Sequence, residues 1–296
     1  MNQQMKIALV TCSNLPDWEV DDAPFHRELQ RHGFEVLHPV WDDPSVCWSD
    51  FDVCLIRTTW DYSEKQIAFQ EWIQQVSTQT RLINHATSLL WNLNKGYLFE
   101  LKDKGIPIAP SIIWNPRDHI ETIIEKLSSL KSDILFCKPV VGASAIHTLR
   151  FHKEKELDSL IDHCRTVNQP MIFQPYISTV EEEGEVSLIY FGNQFSHAVQ
   201  KIPVKGDYRV QDDYGASDRP FVHISKELFA LSDKILKNIP KDLVYVRLDY
   251  LNLGGFETND WVINEVECIE PSLFFRHSSE AAKKFVKALQ EHLGAS

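Results

Sequence analysis

Three acidic residues set the chemical question. Within YVRLDYLNLGGFETNDWVINEVECIEPS, residues 245–272, Asp249, Glu265 and Glu267 stand on two strand-like runs with no lysine between them. LVYVRLDYL alternates Val244, Val246 and Leu248 against Tyr245, Arg247 and Asp249, while WVINEVEC places Ile263, Glu265 and Glu267 together. Side chains two apart on a strand lie roughly 6.5–7 Å from each other. A turn centred on GGFETND therefore brings Asp249 to the face of the two glutamates. Like charges set across strands repel one another. The patch reads either as a cation site or as a solvated acidic face.

Cationic residues of matching chemistry lie upstream. ILFCKPVVGASA ends an apolar strand in Lys138 and enters a loop of small residues from Gly142 to Ala145. A lysine there supplies a point charge, and small residues let backbone N–H groups approach a phosphate. Alone, GASA reads equally as a tight turn. IFQPYI puts Gln174, Pro175 and Tyr176 at a strand end, where free backbone groups suit the edge of an adenine ring, or where a strand simply leaves its sheet. In QKIPVKGDYRVQDDYGAS, a strand carries Lys201 into a polar loop holding Arg209, Gln211 and Asp213. Such loops act as anion clamps or mobile covers, or are ordinary solvated loops.

At the N-terminal end, IRTTWDY follows the strand VCLI, and ligands of open α/β sheets sit beyond the carboxyl ends of their strands. Arg57 suits a carboxylate and Asp61 an ammonium, which together with Trp60 and Tyr62 suggests an amino acid. Asp21, Asp22 and Ser272 are weaker candidates for the same pocket. A surface turn with aromatic packing is the other reading.

The elements that must position these residues alternate. KIALVTC, FEVLHPV and FDVCLIRTTW are strands interleaved with helices through about Arg31 and over EKQIAFQEWIQQV, the pattern of a parallel sheet covered on both faces. No GxGxxG fingerprint occurs, so this is not a dinucleotide-binding unit. NKGYLFELKDKGIPIAPS gives a helix, a Gly stop and a Pro-bounded strand, and RDHIETIIEKLSSL, DILFCKPV and KEKELDSLIDHCRTV a helix, a strand and a helix. After Pro170, MIFQPYI, GEVSLIYF, FSHAVQKIPV and the acidic hairpin are closely spaced strands of a largely antiparallel sheet. Helices at about Lys226–Lys237 and Ser278–Leu293 interrupt and close it. The fold class is α/β (α+β), with units at 1–90, 91–173 and 174–296.

Composition bounds the function. The chain has 296 residues, 43% of them hydrophobic and 24% charged, as in an ordinary globular protein. A net charge of −12 excludes a general nucleic-acid binder, which needs a basic footprint, but leaves room for a local nucleotide site. Six cysteines without a CxxC pair indicate free thiols rather than a disulfide frame or zinc site, and twelve histidines show no ligand spacing. No signal-like segment or membrane-length apolar run is present, so a cytoplasmic protein with no membrane partner is expected. The sequence accommodates a homodimer without specifying one.

The order of the soft signals is more telling than any one of them. A lysine at a helix start, a lysine before a small loop, a strand–Pro hinge, an acid, a cationic loop and an acidic hairpin follow in series. From about Asn92 to Ser272 this series resembles the ATP-grasp superfamily, and most closely its glutathione-synthetase-like branch, whose two C-terminal lobes clasp ATP. The resemblance implies phosphate contacts from Lys95 in NLNKGYL and Lys138 in FCKP. It implies an adenine hinge at Gln174, Tyr176 and Ile177 in QPYI, and a ribose-side acid at Glu185. Lys201 and Arg209 take the place of the γ-phosphate cover, and Asp249, Glu265 and Glu267 that of Mg²⁺ ligands. Arg247 either holds the γ-phosphate or acyl phosphate, or orients Asp249. Two departures stand out: Glu265-x-Glu267 where many relatives carry Glu-x-Asn, and a single glycine, Gly215, in the covering loop.

A narrower resemblance spans nearly the whole chain. TCSNLPDWEVDD, VWDDPSVCWSDFD, IRTTWDY, QPYI, EGEVSLIYF, FSHAVQKIP and ECIEPSLFF are similar to the ATP-grasp ligases of cycloserine biosynthesis, the O-ureido-D-serine cyclo-ligases. The activity implied is ATP-dependent carboxylate–amine ligation or cyclisation of a small amino-acid derivative, with ADP and phosphate released. Two alternatives stay open: a ligase adding amino acids to a peptide or protein tail, and a non-catalytic ATP-binding module. The module has no need of three metal carboxylates.

Overall fold

The computed structural model describes residues 4–15, 20–241 and 243–294; of TCSNLPDWEVDD, residues 16–19 lie outside the described residues. Strands β1 (Lys6–Thr11), β2 (Glu35–Leu37), β3 (Val53–Thr58) and β4 (Arg81–Ile83) form a parallel sheet in the order β2-β1-β3-β4. β1 and β3 are its central strands and read as apolar runs because both their faces are covered. Ile7, Leu9, Val53 and Leu55 share one core with α1 (Ala23–Arg31), and Ala8, Val10, Cys54 and Ile56 share another with α2 (Gln66–Val76). α2 buries Phe69, Trp72, Ile73 and Val76, the i, i+3, i+4, i+7 stripe of a half-buried helix.

After α3 (Ala86–Asn92) and α4 (Tyr97–Asp103) come β5 (Ile112–Trp114), α5 (Ile120–Ser129), β6 (Ile134–Pro139), β7 (Leu149–His152), α6 (Leu157–Val167) and β8 (Met171–Pro175). The four strands make an antiparallel sheet in the order β5-β8-β6-β7, with a core shared with α5 and α6. MIFQPYI thus belongs here and not to the following sheet, because β8 pairs on both edges with β5 and β6. The expected start of this unit at residue 91 also changes. Tyr97, Leu98 and Leu101 of α4 sit in the core of the third sheet, and Ile108 bridges to Ile263.

The third sheet follows α7 (Thr179–Glu183). β9 (Glu185–Phe191), β10 (Gln194–Ile202), β11 (Ser217–Pro220), β12 (Tyr245–Asn252) and β13 (Trp261–Glu267) pair antiparallel in the order β11-β10-β9-β12-β13, with α8 (Lys226–Leu236) against one face. The closing helix α9 (Ala281–Leu293) unites the chain's two ends. Its Phe285 stacks on Phe25 of α1 at 4.2 Å and on Phe191 of β9 at 4.7 Å, so the first and third sheets share one core. No helix among the described residues is long and apolar enough to cross a membrane.

Candidate active site

Residues of the second and third sheets, with Trp60 and Tyr62 from the loop after β3, line one cleft of about 260 Å³. The acidic hairpin forms its floor. Asp249 of β12 pairs in register with Glu265 of β13, and Arg247 with Glu267, so all four side chains share the cleft face. Ile263 does not join them, as strict alternation led us to expect. Between the Asp249–Glu265 and Tyr250–Ile263 pairs the register shifts, which makes Asn264 the extra residue of a β-bulge. A bulge re-aims side chains. Ile263 turns into the apolar core, and Asn264 joins Glu265 at the cleft.

The carboxylates are interleaved with cations from elsewhere in the chain. Lys138 Nζ donates to Glu265 at 3.0 Å and to Asn264 Oδ1 at 3.0 Å, and Lys95 lies 3.5 Å from Glu265. Arg247 pairs with Asp249 at 2.9 Å and with Glu267 at 2.5 Å. Lys201 is 3.4 Å from Asp249 and pairs with Glu185, and Asn264 Nδ2 donates to the other Glu185 oxygen. Gly184 permits this arrangement. At φ +71° it opens β9, and a Cβ there would lie 1.9 Å from the Lys201 carbonyl oxygen. Among the described residues, no group of three or more His, Cys, Asp or Glu side chains converges as a metal would require.

Electrostatics divide the acids. Burial opposes ionisation of Asp249 and Glu265, but Arg247 and Lys201 override it for the first and Lys95 and Lys138 for the second, holding both below the usual carboxylate range. Burial lifts Glu267 to about 7 against the pull of Arg247, and Asp249 and Glu265 add to the rise. Burial raises Glu185 as well, with Lys201 opposing.

The expected nucleotide side lies on the same cleft. Gln174, Tyr176 and Ile177 line it at the end of β8, and Gln174 Nε2 donates to Ser111 at 2.9 Å. The loop after β6 is pinned: Lys95 donates to Gly142 O at 2.7 Å, and Ser144, Ala145 and His147 hold left-handed φ values of 52°, 55° and 62°. Such non-glycine conformations cost roughly 1 kcal/mol or more each and persist where surroundings enforce them. Arg209 also lines the cleft, paired with Asp207 at 2.7 Å and over the Tyr214 ring at 3.9 Å. Two tyrosines of its loop, which the sequence reading passed over, latch onto the other lobe. Tyr208 lies edge-on to Phe136 at 5.2 Å, with its hydroxyl 3.3 Å from Thr148 O, and Tyr214 Oη donates to Ser144 O at 3.2 Å.

At the other end Trp60 and Ser272 line the cleft, whereas Arg57 and Asp61 do not. Arg57 is buried in a two-pronged ion pair with Asp22, at 2.6 and 2.9 Å. Asp61 accepts from Trp41 Nε1 at 2.8 Å and pairs with Lys65 at 2.8 Å. Asp21 is 3.2 Å from Arg276. The expected carboxylate and ammonium contacts are thus committed inside the N-terminal unit.

Arg57 serves a different arrangement. Six successive carbonyls, Cys268 to Leu273, each accept a side-chain hydrogen bond from outside the segment. The donors in order are Asn84 at 2.8 Å, Tyr245 at 2.6 Å, Trp60 at 3.2 Å, Arg57 at 3.1 Å, Arg247 at 2.9 Å and His197 at 3.0 Å. Leu273 O can only accept, so His197 Nε2 carries the proton. Three donors come from the first unit and three from the third sheet, and together they fix the strip that carries Glu270 and Ser272 along the cleft.

Comparison with known proteins matches this layout. Residues 107–259 match the family model of the prokaryotic glutathione synthetase ATP-grasp domain, and residues 7–84 that of the D-cycloserine synthetase DcsG N-terminal domain. The sequence is 28% identical to cycloserine biosynthesis protein DcsG of Streptomyces lavendulae over 97% of this chain and 98% of that one. The crystal structure of D-cycloserine synthetase DcsG is similar at a TM-score of 0.86 and 24% identity, covering 97% of this chain and 99% of that one. VanG D-Ala:D-Ser ligase from Enterococcus faecalis is similar at 0.73 and 15%, covering 99% of each chain.

Proposed function

The chain belongs to the ATP-grasp family, in the branch of the prokaryotic glutathione synthetase ATP-grasp domain, and is an ATP-dependent, ADP-forming ligase; we propose that it activates the carboxylate of a small amino-acid derivative and joins it to an amine, in the same molecule or a second one. The observation that carries this reading is the interleaving of Lys95, Lys138, Lys201 and Arg247 with Asp249, Glu265 and Glu267 on one cleft. The relatives named for cycloserine and for D-Ala:D-Ser ligation support an amino-acid substrate. Cyclisation within one molecule is the finer form of the proposal.

In the first step a substrate carboxylate oxygen bonds to the γ-phosphorus of ATP while the β–γ bridging bond breaks, giving an acyl phosphate and ADP. The amine nitrogen then attacks the acyl carbon, phosphate leaves, and the nitrogen loses a proton. Catalysis of such transfers rests on positioning and charge stabilisation. Lys95 and Lys138 hold phosphate oxygens, the strand end at Gln174, Tyr176 and Ile177 receives the adenine edge, and Glu185 faces the ribose side. Lys201 and the Arg209 loop cover the transferring phosphoryl group, and Arg247 holds the acyl phosphate above the hairpin. Trp60 and Ser272 face the substrate. Asp249, Glu265 and Glu267 fit Mg²⁺ in kind, as hard oxygen donors with more negative charge than their own cations relieve at Glu267. Mg²⁺ held by these carboxylates would neutralise phosphate charge. The expected setting is the cytoplasm, and a homodimer is compatible with the reading.

Asp249→Asn and Glu265→Gln are expected to lower ADP release at least roughly 10³-fold, since each removes a charge from the reacting centre, with the far-UV spectrum of the wild type retained. ADP production at the wild-type rate in both would sink the metal assignment.

A further inference from the structure

Glu270 is an acid of the cleft floor that nothing above employs. It is 8% exposed and lines the cleft between Glu267 and Ser272; among the described residues its carboxyl has no ion pair, and its one hydrogen bond comes from its own backbone N–H. Every other carboxylate of the floor has a cation within 4 Å: Glu185 has Lys201, Asp249 has Arg247 and Lys201, Glu265 has Lys95 and Lys138, and Glu267 has Arg247. The nearest cations are spoken for. Lys95 is turned to Glu265 and Gly142 O, and Arg247 to Asp249, Glu267 and Ser272 O.

A buried carboxylate without a partner is costly, and here the cost is not relieved by movement of the backbone. The carbonyls on either side of Glu270 and its own are held by Tyr245, Trp60 and Arg57 at 2.6, 3.2 and 3.1 Å. The strip therefore presents one carboxyl without a cation at the end of the cleft where Trp60 and Ser272 stand, away from the nucleotide strand end at Gln174. Burial, with Glu267 adding to it, accordingly pushes the Glu270 carboxyl up to about 8. A cationic ligand group is what this position lacks.

We infer that Glu270 recognises the protonated amino group of the amino-acid substrate, the role that Asp61 cannot take because it is committed to Trp41 and Lys65. The assignment rests on the ligase reading above. It also makes the substrate class specific: a carboxylate bearing a free cationic amine, bound with the amine toward the Trp60 end.

The test compares the full-length wild type with Glu270→Gln in steady-state ADP release. The substrate is whichever of D-alanine, D-serine and O-ureido-D-serine gives turnover, together with the same acid bearing hydrogen in place of its α-amino group. Replacing a charge-assisted contact by a neutral amide is expected to raise KM for the amino acid roughly 10- to 100-fold. KM for ATP and the Mg²⁺ requirement stay within twofold. Loss of the amine costs the wild type a similar factor and costs Glu270→Gln almost nothing, a coupling that a merely structural residue would not show. Glu270→Asp keeps the charge with a shorter reach and is expected to fall between, which carries the test if the amide variant does not fold. An unchanged KM in Glu270→Gln, an equal penalty for amine loss in both proteins, or a shifted Mg²⁺ requirement in place of the KM effect overturns the assignment alone. A wild type that turns over none of the three amino acids overturns the ligase reading and this assignment with it.

Discussion

Arg57 illustrates how one side chain's role depends on partners far along the chain. Its type and its place after a strand end suit a carboxylate ligand, yet its ion pair with Asp22 spans 35 residues and its bond to Pro271 O spans 214. Nothing local in IRTTWDY signals either partner. Arg57→Ala leaves Asp22 buried without its cation, so the variant is expected to lose about 3–5 kcal/mol of stability in urea unfolding; wild-type stability with a weakened substrate KM would return Arg57 to the substrate pocket. His197 is a second buried residue of this strip. Burial lowers its pKa to about 4 from 6.5, and its neutral ring is satisfied by Ser196 and Leu273 O. A folded-state pKa below the unfolded one stabilises the protein above the unfolded value and is lost as pH falls toward the folded one. Between pH 7 and pH 5 this contributes a loss of about 2 kcal/mol. His197→Gln is expected to flatten that loss, read as unfolding midpoints at the two pH values, and an unchanged pH dependence would contradict it. Lys138, Lys201 and the three hairpin acids were legible because their neighbours in sequence carry the meaning: an apolar strand, a Gly-bearing loop, a turn.

At the scale of elements, alternation found the acidic hairpin but not its bulge. Strict period-two reading put Ile263 beside Glu265, and only the register shift at Asn264 sends the isoleucine to the core and a polar bridge to the cleft. Asn264 gives no sequence signal of this, since any residue can occupy the extra position. The covering loop tells a similar story: its Arg209 and Gly215 were readable as loop chemistry, whereas the latch is made by Tyr208 and Tyr214 against residues of the central unit. Tyr208→Ala removes the edge-on contact with Phe136 and the bond to Thr148. Losing contacts of that size, about 1–2 kcal/mol, opens a loop roughly tenfold more often. Trypsin cleavage at Lys205 or Arg209 is therefore expected to accelerate by about that factor in the variant, with equal rates in both proteins as the contrary result.

Across the whole molecule, the parallel first sheet and the antiparallel third one were legible, because period, length and turn residues distinguish them, whereas the antiparallel second sheet was not, and its strand MIFQP was read into the third. Their assembly was less legible. α4 leaves its sequence neighbours for the core of the third sheet, and α9 returns to cover α1, both through contacts between residues distant in sequence. That assembly matters for the cleft: the strip from Cys268 to Leu273 is gripped from both the first unit and the third sheet, so the Trp60–Ser272 end of the cleft exists only when the units are joined. The net charge of −12 hides the same point, since three buried cations and the half-buried Lys95 gather at one cleft of an acidic protein. The central claim is that this cleft activates a carboxylate by phosphorylation. It is tested most directly by incubating the protein with Mg·ATP, hydroxylamine and an amino-acid panel that includes O-ureido-D-serine, then measuring nucleotide and hydroxamate products together. ADP with a stoichiometric hydroxamate of one panel member is the expected result. AMP in place of ADP, or ADP released with no hydroxamate from any carboxylate, would contradict it.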